Sequence, residues 1–287
     1  MSWVRPQNAT EVDTYPPGFE EDEPLRSQFI RELTLRQLHQ ATLPQAVLPS
    51  HASAIPRLLV RYWHDHSALP DDVRACLDSW ERLADEGLEL RTYSDATAER
   101  YIAENYGARE LKAFAACRHP AMRCDYMRLC VILAEGGFYV DADDVLLDNG
   151  WKEIFRDARL KLQPLCYDIP ACGMVRAAEI WRTDLPTEGR VFYINNDPLA
   201  APTNHPVIRR ALTRATDKLL GSDPAPEIQS TTGPGNLTAS LAIHARELIL
   251  IGGAMDFELL RDWDAIAETR WELSYRGDAR NWRNMSA

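Results

Sequence analysis

Apolar and polar positions alternate along this chain in patterns that predict its elements. Leu25, Phe29, Ile30, Leu33 and Leu38 recur at helical spacing within 25–41, which predicts an amphipathic helix packed on a larger domain. Pro44 and Pro49 then mark a connecting stretch over 42–54. The apolar, β-rich run Ile55-Pro56-Arg57-Leu58-Leu59-Val60-Arg61-Tyr62-Trp63 reads as a first, buried strand. Val73, Leu77, Trp80 and Leu83 give helical periodicity over 71–84, stopped at Gly87. Leu88 to Tyr93 is a second strand, and Ser94 is a good N-cap for a helix over 95–104. A short helix follows over 111–116, then a longer one opened by Pro120 and ended at Gly136-Gly137. Phe138 to Asp141 is another short strand.

Beyond Trp151 the pattern loosens. Arg190 to Ile194 reads as a strand and His205 to Leu220 as a helix. Thr231 to Gly235 is a turn into a helix over 236–247, and Leu248–Ile251 with Phe257–Leu260 would form a late strand pair. Alternating strands and helices point to an α/β domain with a largely parallel sheet.

Charge changes this picture at one end. The net charge is −11, and residues 1–24 hold six acidic residues against Arg5, with Pro6, Pro16, Pro17 and Pro24 among them. That head reads as an extended acidic arm. The organisation expected is an appendage over 1–50 and one domain over 51–287. An acidic chain is a poor candidate for nucleic-acid binding. No apolar run approaches the ~20 residues that cross a bilayer, and the start carries no signal-peptide pattern. Six cysteines without a Cys-x-x-Cys spacing read as free thiols of a reducing, cytoplasmic setting.

The chemistry concentrates in 121–144. Asp141-Ala142-Asp143 directly follows an apolar strand. Alternation along a strand turns i and i+2 to one side, so at the sheet's carboxyl edge both carboxylates can reach one point. Such a pair suits a hard divalent cation, Mn2+ or Mg2+, which also takes substrate phosphates as ligands. Asp125 and Arg128 share a face of the preceding helix, and the Gly-Gly turn folds that helix back against the strand. His64-Asp65-His66 lacks a third ligand and reads as loop surface.

With these residues in place, the stretch Asp125-x-x-Arg128 … Gly136-Gly137-x-Tyr139-x-Asp141-x-Asp143 resembles the Asp-x-Asp sugar-binding region of glycosyltransferase family 32. That family includes relatives of the yeast initiating α-1,6-mannosyltransferase and is more distantly akin to the large clostridial glucosylating toxins. Ile55 to Trp63, His205-Pro206-Val207-Ile208 and Thr232-Gly233-Pro234 are similar to further stretches of that family, in the same order. The resemblance implies a GT-A fold, Rossmann-like with helices flanking the sheet. It also implies retaining transfer of a hexose from a UDP- or GDP-sugar. By that likeness Asp143 would bind the metal directly and Asp141 through water or at the ribose. Asp125 and Arg128 would hold sugar hydroxyls, Tyr139 would sit near nucleotide or sugar, and Trp63 near the base. Asn195 or Asn196 would reach sugar or acceptor, and Thr232 and Gly233 would also bind substrate. Asp278 or Glu272 would supply a C-terminal metal ligand. Val60-Arg61 departs from the family's usual His-Gln, which bears on base recognition. The acceptor is open: a saccharide, a lipid-linked glycan, a natural product or a protein.

Two other readings fit parts of the pattern. Strand-Asp-x-Asp-x-Val also opens haloacid-dehalogenase phosphatases, with Asp141 as nucleophile and Asp143 as acid/base. That start normally lies near a domain's N-terminus, whereas here a long α/β stretch precedes it. A non-catalytic nucleotide-sugar binder or interaction module would leave the intact carboxylate pair unused.

Overall fold

A strand forms first where the sequence is continuously apolar. β1 (Leu58–Tyr62) is buried at all five positions, as a strand covered on both faces must be. The computed structural model describes residues 15–40, 54–281 and 283. Before β1 it contains α1 (Glu23–Gln40). After β1, α2 (Asp71–Ser79) and the single turn α3 (Arg82–Asp85) stand where the periodicity predicts one helix. The break falls at Trp80, whose indole N–H is committed to the Asp144 carbonyl at 2.9 Å. β2 (Glu89–Tyr93) leads to α4 (Asp95–Asn105), opened by a reciprocal capping box between Ser94 and Thr97.

α5 (Ala108–Ala116) precedes α6 (Pro120–Glu135), with Pro120 in its first turn and the His119 ring accepting from the Ala121 N–H. Gly136 and Gly137 then take φ of 71° and 117°. A Cβ on Gly137 would lie 2.8 Å from the Leu58 carbonyl oxygen. Glycine therefore lets the chain turn tightly enough to lay β3 (Gly137–Tyr139) against β1.

The remaining elements are β4 (Asp144–Leu146), β5 (Leu160–Asp168), β6 (Gly173–Met174), the turn α7 (Ala177–Ile180) and β7 (Arg190–Ala201). Then follow α8 (Pro206–Leu219), the turn α9 (Ile228–Thr231), α10 (Pro234–Leu250), β8 (Phe257–Leu259), the turn α11 (Trp263–Ile266) and β9 (Ala267–Thr269). The late strand pair does not form. Leu248–Leu250 completes α10, which nothing interrupts before Gly252, and β8 pairs with β5 instead.

The main sheet runs β2-β1-β3-β7-β5-β6, with β8 also on β5. β1, β2, β3, β5 and β8 point one way, while β7 and β6 oppose them. This is the mostly parallel, helix-flanked α/β sheet expected of a GT-A fold. Successive strand residues feed two cores. Val60, Tyr139 and Leu199 join the cluster of α6, α8 and α10. Leu59, Phe138 and Ala200 join Trp80, Trp151 and Trp263 on the other face.

α1 belongs to the first of these cores through Phe29, Ile30 and Leu33, and Tyr15 and Phe19 ahead of it pack there too. Residues 1–14 of the predicted acidic arm, and most of the 42–54 stretch, lie outside the described residues. Arg31, 3% exposed, donates to the carbonyls of Ile180, Arg182 and Leu185. Among the described residues no helix is long and apolar enough to cross a membrane.

Candidate active site

The parallel strands end at a cleft of about 820 Å³, lined among others by Trp63, Arg128, Tyr139, Asp141 and Asp143. Two features build it. The first is the α6–glycine–β3 hairpin, which brings Arg128 alongside the strand end. Its guanidinium lies 3.8 Å from the Tyr139 ring centroid and donates to Asp141 Oδ1 at 2.8 Å. Tyr139 Oη donates to the same oxygen at 2.7 Å. Arg128 also donates to the Asn196 carbonyl.

The second feature is an irregularity in β7. Leu199 pairs with Leu162 and Ile194 with Pro164, so Asn195–Pro198 face a single residue of β5. Those four residues leave the ladder, which frees their polar groups to turn toward the cleft. Asn196 Nδ2 donates to Asp125 Oδ1 at 2.7 Å, and Asp197 Oδ1 accepts from the Asp141 N–H at 3.0 Å.

Each predicted residue can now be placed. Asp125, Arg128, Tyr139, Asp141, Asp143, Trp63, Asn195 and Asn196 all line the cleft. Arg128 is only 2% exposed; its fork serves Asp141 and the backbone, so it positions a carboxylate. Trp63 is buried with its ring against Tyr275 at 5.3 Å. Thr232 and Gly233 do not line the cleft. Thr232 Oγ1 donates to Asp125 Oδ2 at 3.1 Å, and Gly233 is the N-cap of α10. Asp278 is outside the lining as well, on the surface beside Arg280, which holds its carboxyl down at about 2.

Sequence reasoning missed four participants. Tyr275 Oη donates to Asp143 Oδ2 at 2.7 Å and Arg276 pairs with the same oxygen. Both come from a tail whose spacing carries no signal. Asp144 and Asp197 form a buried carboxyl pair behind Asp141, with Thr269 donating to Asp144 Oδ1 at 2.7 Å. Asp144 could have been suspected as the third acid of Asp141-Ala142-Asp143-Asp144.

The electrostatics follow from burial. Asp125 is pushed up to about 6 by burial, opposed by Arg128. Burial and then Asp141 raise Asp143. Burial and then Asp143 push Asp144 up to about 7, and Asp197 is raised well above the carboxylate range by burial and Asp144. Arg128 and Arg276 pair directly with Asp141 and Asp143, and Arg176, Arg280 and Arg283 also line the cleft. Among the described residues no group of three or more His, Cys, Asp or Glu is disposed to hold a metal. Two carboxylates two residues apart at an open cleft nevertheless suit a hard divalent cation that draws its other ligands from water and phosphate.

A search of curated proteins found no match. Among solved structures, the PaToxG glycosyltransferase is similar at 14% identity and a TM-score of 0.40, covering 86% of this chain and 94% of that one. Residues 69–159 match the family described as the glycosyltransferase sugar-binding region containing DXD motif. That region runs from the end of the first βα connection through α6, β3 and β4, so Asp125, Arg128, Asp141 and Asp143 all lie in the part of the chain that is similar to the sugar-binding region of glycosyltransferases.

Proposed function

We propose that this protein transfers a hexose, with retention, from a UDP- or GDP-sugar to a hydroxyl-bearing acceptor, in the manner of family 32 glycosyltransferases. The observation that carries the reading is Asp141, locked by Arg128 and Tyr139 at the carboxyl edge of the sheet, with Asp143 two residues on. In transfer, the bond between the anomeric carbon and the diphosphate oxygen breaks and a bond to the acceptor oxygen forms. The diphosphate leaves with the electron pair. Mn2+ or Mg2+ held by Asp141 and Asp143 would offset that developing charge. Arg128 and Tyr139 fix the Asp141 carboxylate so that one oxygen faces the cleft. Asn196 and Thr232 hold Asp125 at the sugar end. The cleft volume suits a ligand of nucleotide-sugar size.

The phosphatase reading is weaker. Its nucleophile would be Asp141, and Oδ1 of that carboxylate already accepts two hydrogen bonds. The family match over 69–159 also favours sugar transfer.

The test needs no acceptor. Purified protein is incubated with a panel of UDP- and GDP-sugars, with and without Mn2+, and free nucleotide is measured. Metal-dependent release from one donor, lost in Asp143→Asn with the fold intact by circular dichroism, is the expected result. Silence across the panel, with Mg2+-dependent cleavage of a phosphate monoester, would replace this reading with the phosphatase.

A further inference from the structure

Asp143 is held from the far end of the chain. Tyr275 and Arg276, both on its Oδ2, belong to the 3-10 turn Ser274–Gly277. The turn is clipped to α2, where Asp72 accepts from the Ser274 N–H at 2.6 Å and from its hydroxyl at 3.0 Å. The Arg270 N–H donates to the Asp143 carbonyl at 2.8 Å. Among the described residues Oδ1 of Asp143 accepts no hydrogen bond. The Arg276 guanidinium also lies 4.5 Å from the ring of Trp271, which is 55% exposed. Arg280 and Arg283 line the same wall of the cleft. This chain is strongly acidic overall, yet the wall facing its carboxylate pair is arginine-rich.

A carboxylate as buried as Asp143 requires a counter-charge whenever it is ionised. A divalent cation at Asp143 would set a second positive charge beside Arg276. Of these two partners, Arg276 is the displaceable one: its long side chain is partly exposed, at 18%, and can rotate while the turn stays clipped to α2. A diphosphate offers it a better match than one carboxylate oxygen, since a guanidinium fork binds phosphate through two parallel hydrogen bonds.

We propose that Arg276 is an exchangeable counter-ion: it neutralises Asp143 in the empty site, cedes it to the entering cation, and swings onto the donor's diphosphate. This rests on the metal-dependent donor site proposed above. Metal entry and diphosphate capture are thereby coupled through one side chain.

The test uses the full chain and its Arg276→Gln and Arg276→Lys variants. Mn2+ binding is titrated by calorimetry without nucleotide, and UDP and GDP are then titrated at saturating Mn2+. Arg276→Gln, which has no charge to displace, is expected to bind Mn2+ about tenfold more tightly and the preferred nucleoside diphosphate about tenfold more weakly. Arg276→Lys keeps the charge without the fork, so it should bind Mn2+ like the wild type and still lose diphosphate affinity. Wild-type Trp271 emission should change on adding Mn2+, a change absent in Trp271→Phe. Equal or weaker Mn2+ binding by Arg276→Gln, or undiminished diphosphate binding by both variants, overturns the exchange while leaving the donor site standing. If neither the wild type nor Arg276→Gln binds Mn2+ or either diphosphate, the donor-site reading falls and the exchange with it.

Discussion

Asp144→Asn is the most informative single perturbation of the carboxyl cluster. Asp144 is fully buried, with Asp197 among the carboxyls that act on it; Thr269 donates to its Oδ1, and its Oδ2 has no hydrogen-bond partner among the described residues. Burial, with Asp143 nearby, raises its value from 3.8 to about 7. At about 1.36 kcal/mol per pH unit, holding that carboxylate ionised costs the folded state about 4 kcal/mol. The penalty belongs to the pair, so removing one carboxyl relieves about half, ~2 kcal/mol. The sign follows from linkage. The folded value lies above the unfolded one, so the folded state binds the extra proton. Stability is therefore lost as pH rises from about 4 through about 7. Asparagine keeps an oxygen for Thr269 and replaces the second, ionisable oxygen with a neutral amide N–H. In EDTA at pH 8, Asp144→Asn should melt ~4–8 °C above the wild type, at ~2–4 °C per kcal/mol for a domain of this size. The gap should shrink toward nothing as pH falls to about 4. A gap that does not change with pH, or a less stable variant at pH 8, would refute the reasoning.

Three further outcomes are expected. Thr232→Val should raise the donor KM several-fold with little change in melting temperature, because Asp125 loses one of the two hydrogen bonds that orient it; Thr232→Ser should restore the KM. Gly137→Ala should cost about 2–4 kcal/mol in urea unfolding, since a Cβ at φ 117° would press on the Leu58 carbonyl. Arg31→Met should cost a similar ~2–4 kcal/mol by orphaning the carbonyls of Ile180, Arg182 and Leu185, read as a lower urea midpoint.

Legibility in the sequence tracked locality. Ser94, Pro120 and the Gly136-Gly137 pair announced their elements because caps and turns are set by neighbouring residues. Asp125, Arg128, Tyr139 and Asp141 were legible because a single hairpin brings them together. β4, β5, β6 and β9 were not, since their partners lie far off in the chain and no alternation marks them. The family likeness set Arg128, Thr232 and Asn196 near sugar or acceptor; their side chains also bond Asp141 and Asp125, links that no local spacing announces. Tyr275 and Arg276 reach Asp143 across more than 130 positions, a distance over which no spacing rule operates.

The stitching of α1 bears on how the molecule is made. Ser27 bonds the backbone at Arg190 and Phe192, and Arg31 bonds that at Ile180 and Arg182. Once α1 has left the ribosome it therefore cannot dock until more than 150 further residues have emerged. Synthesis at ~5–20 residues per second leaves its apolar face unsheltered for roughly ten to thirty seconds. During that interval a chaperone or a neighbouring nascent chain would meet Phe29, Ile30 and Leu33 before the helix's own partner strand does. The yield of active protein in a cell would then depend on translation speed across 40–190 as much as on the final stability of the fold.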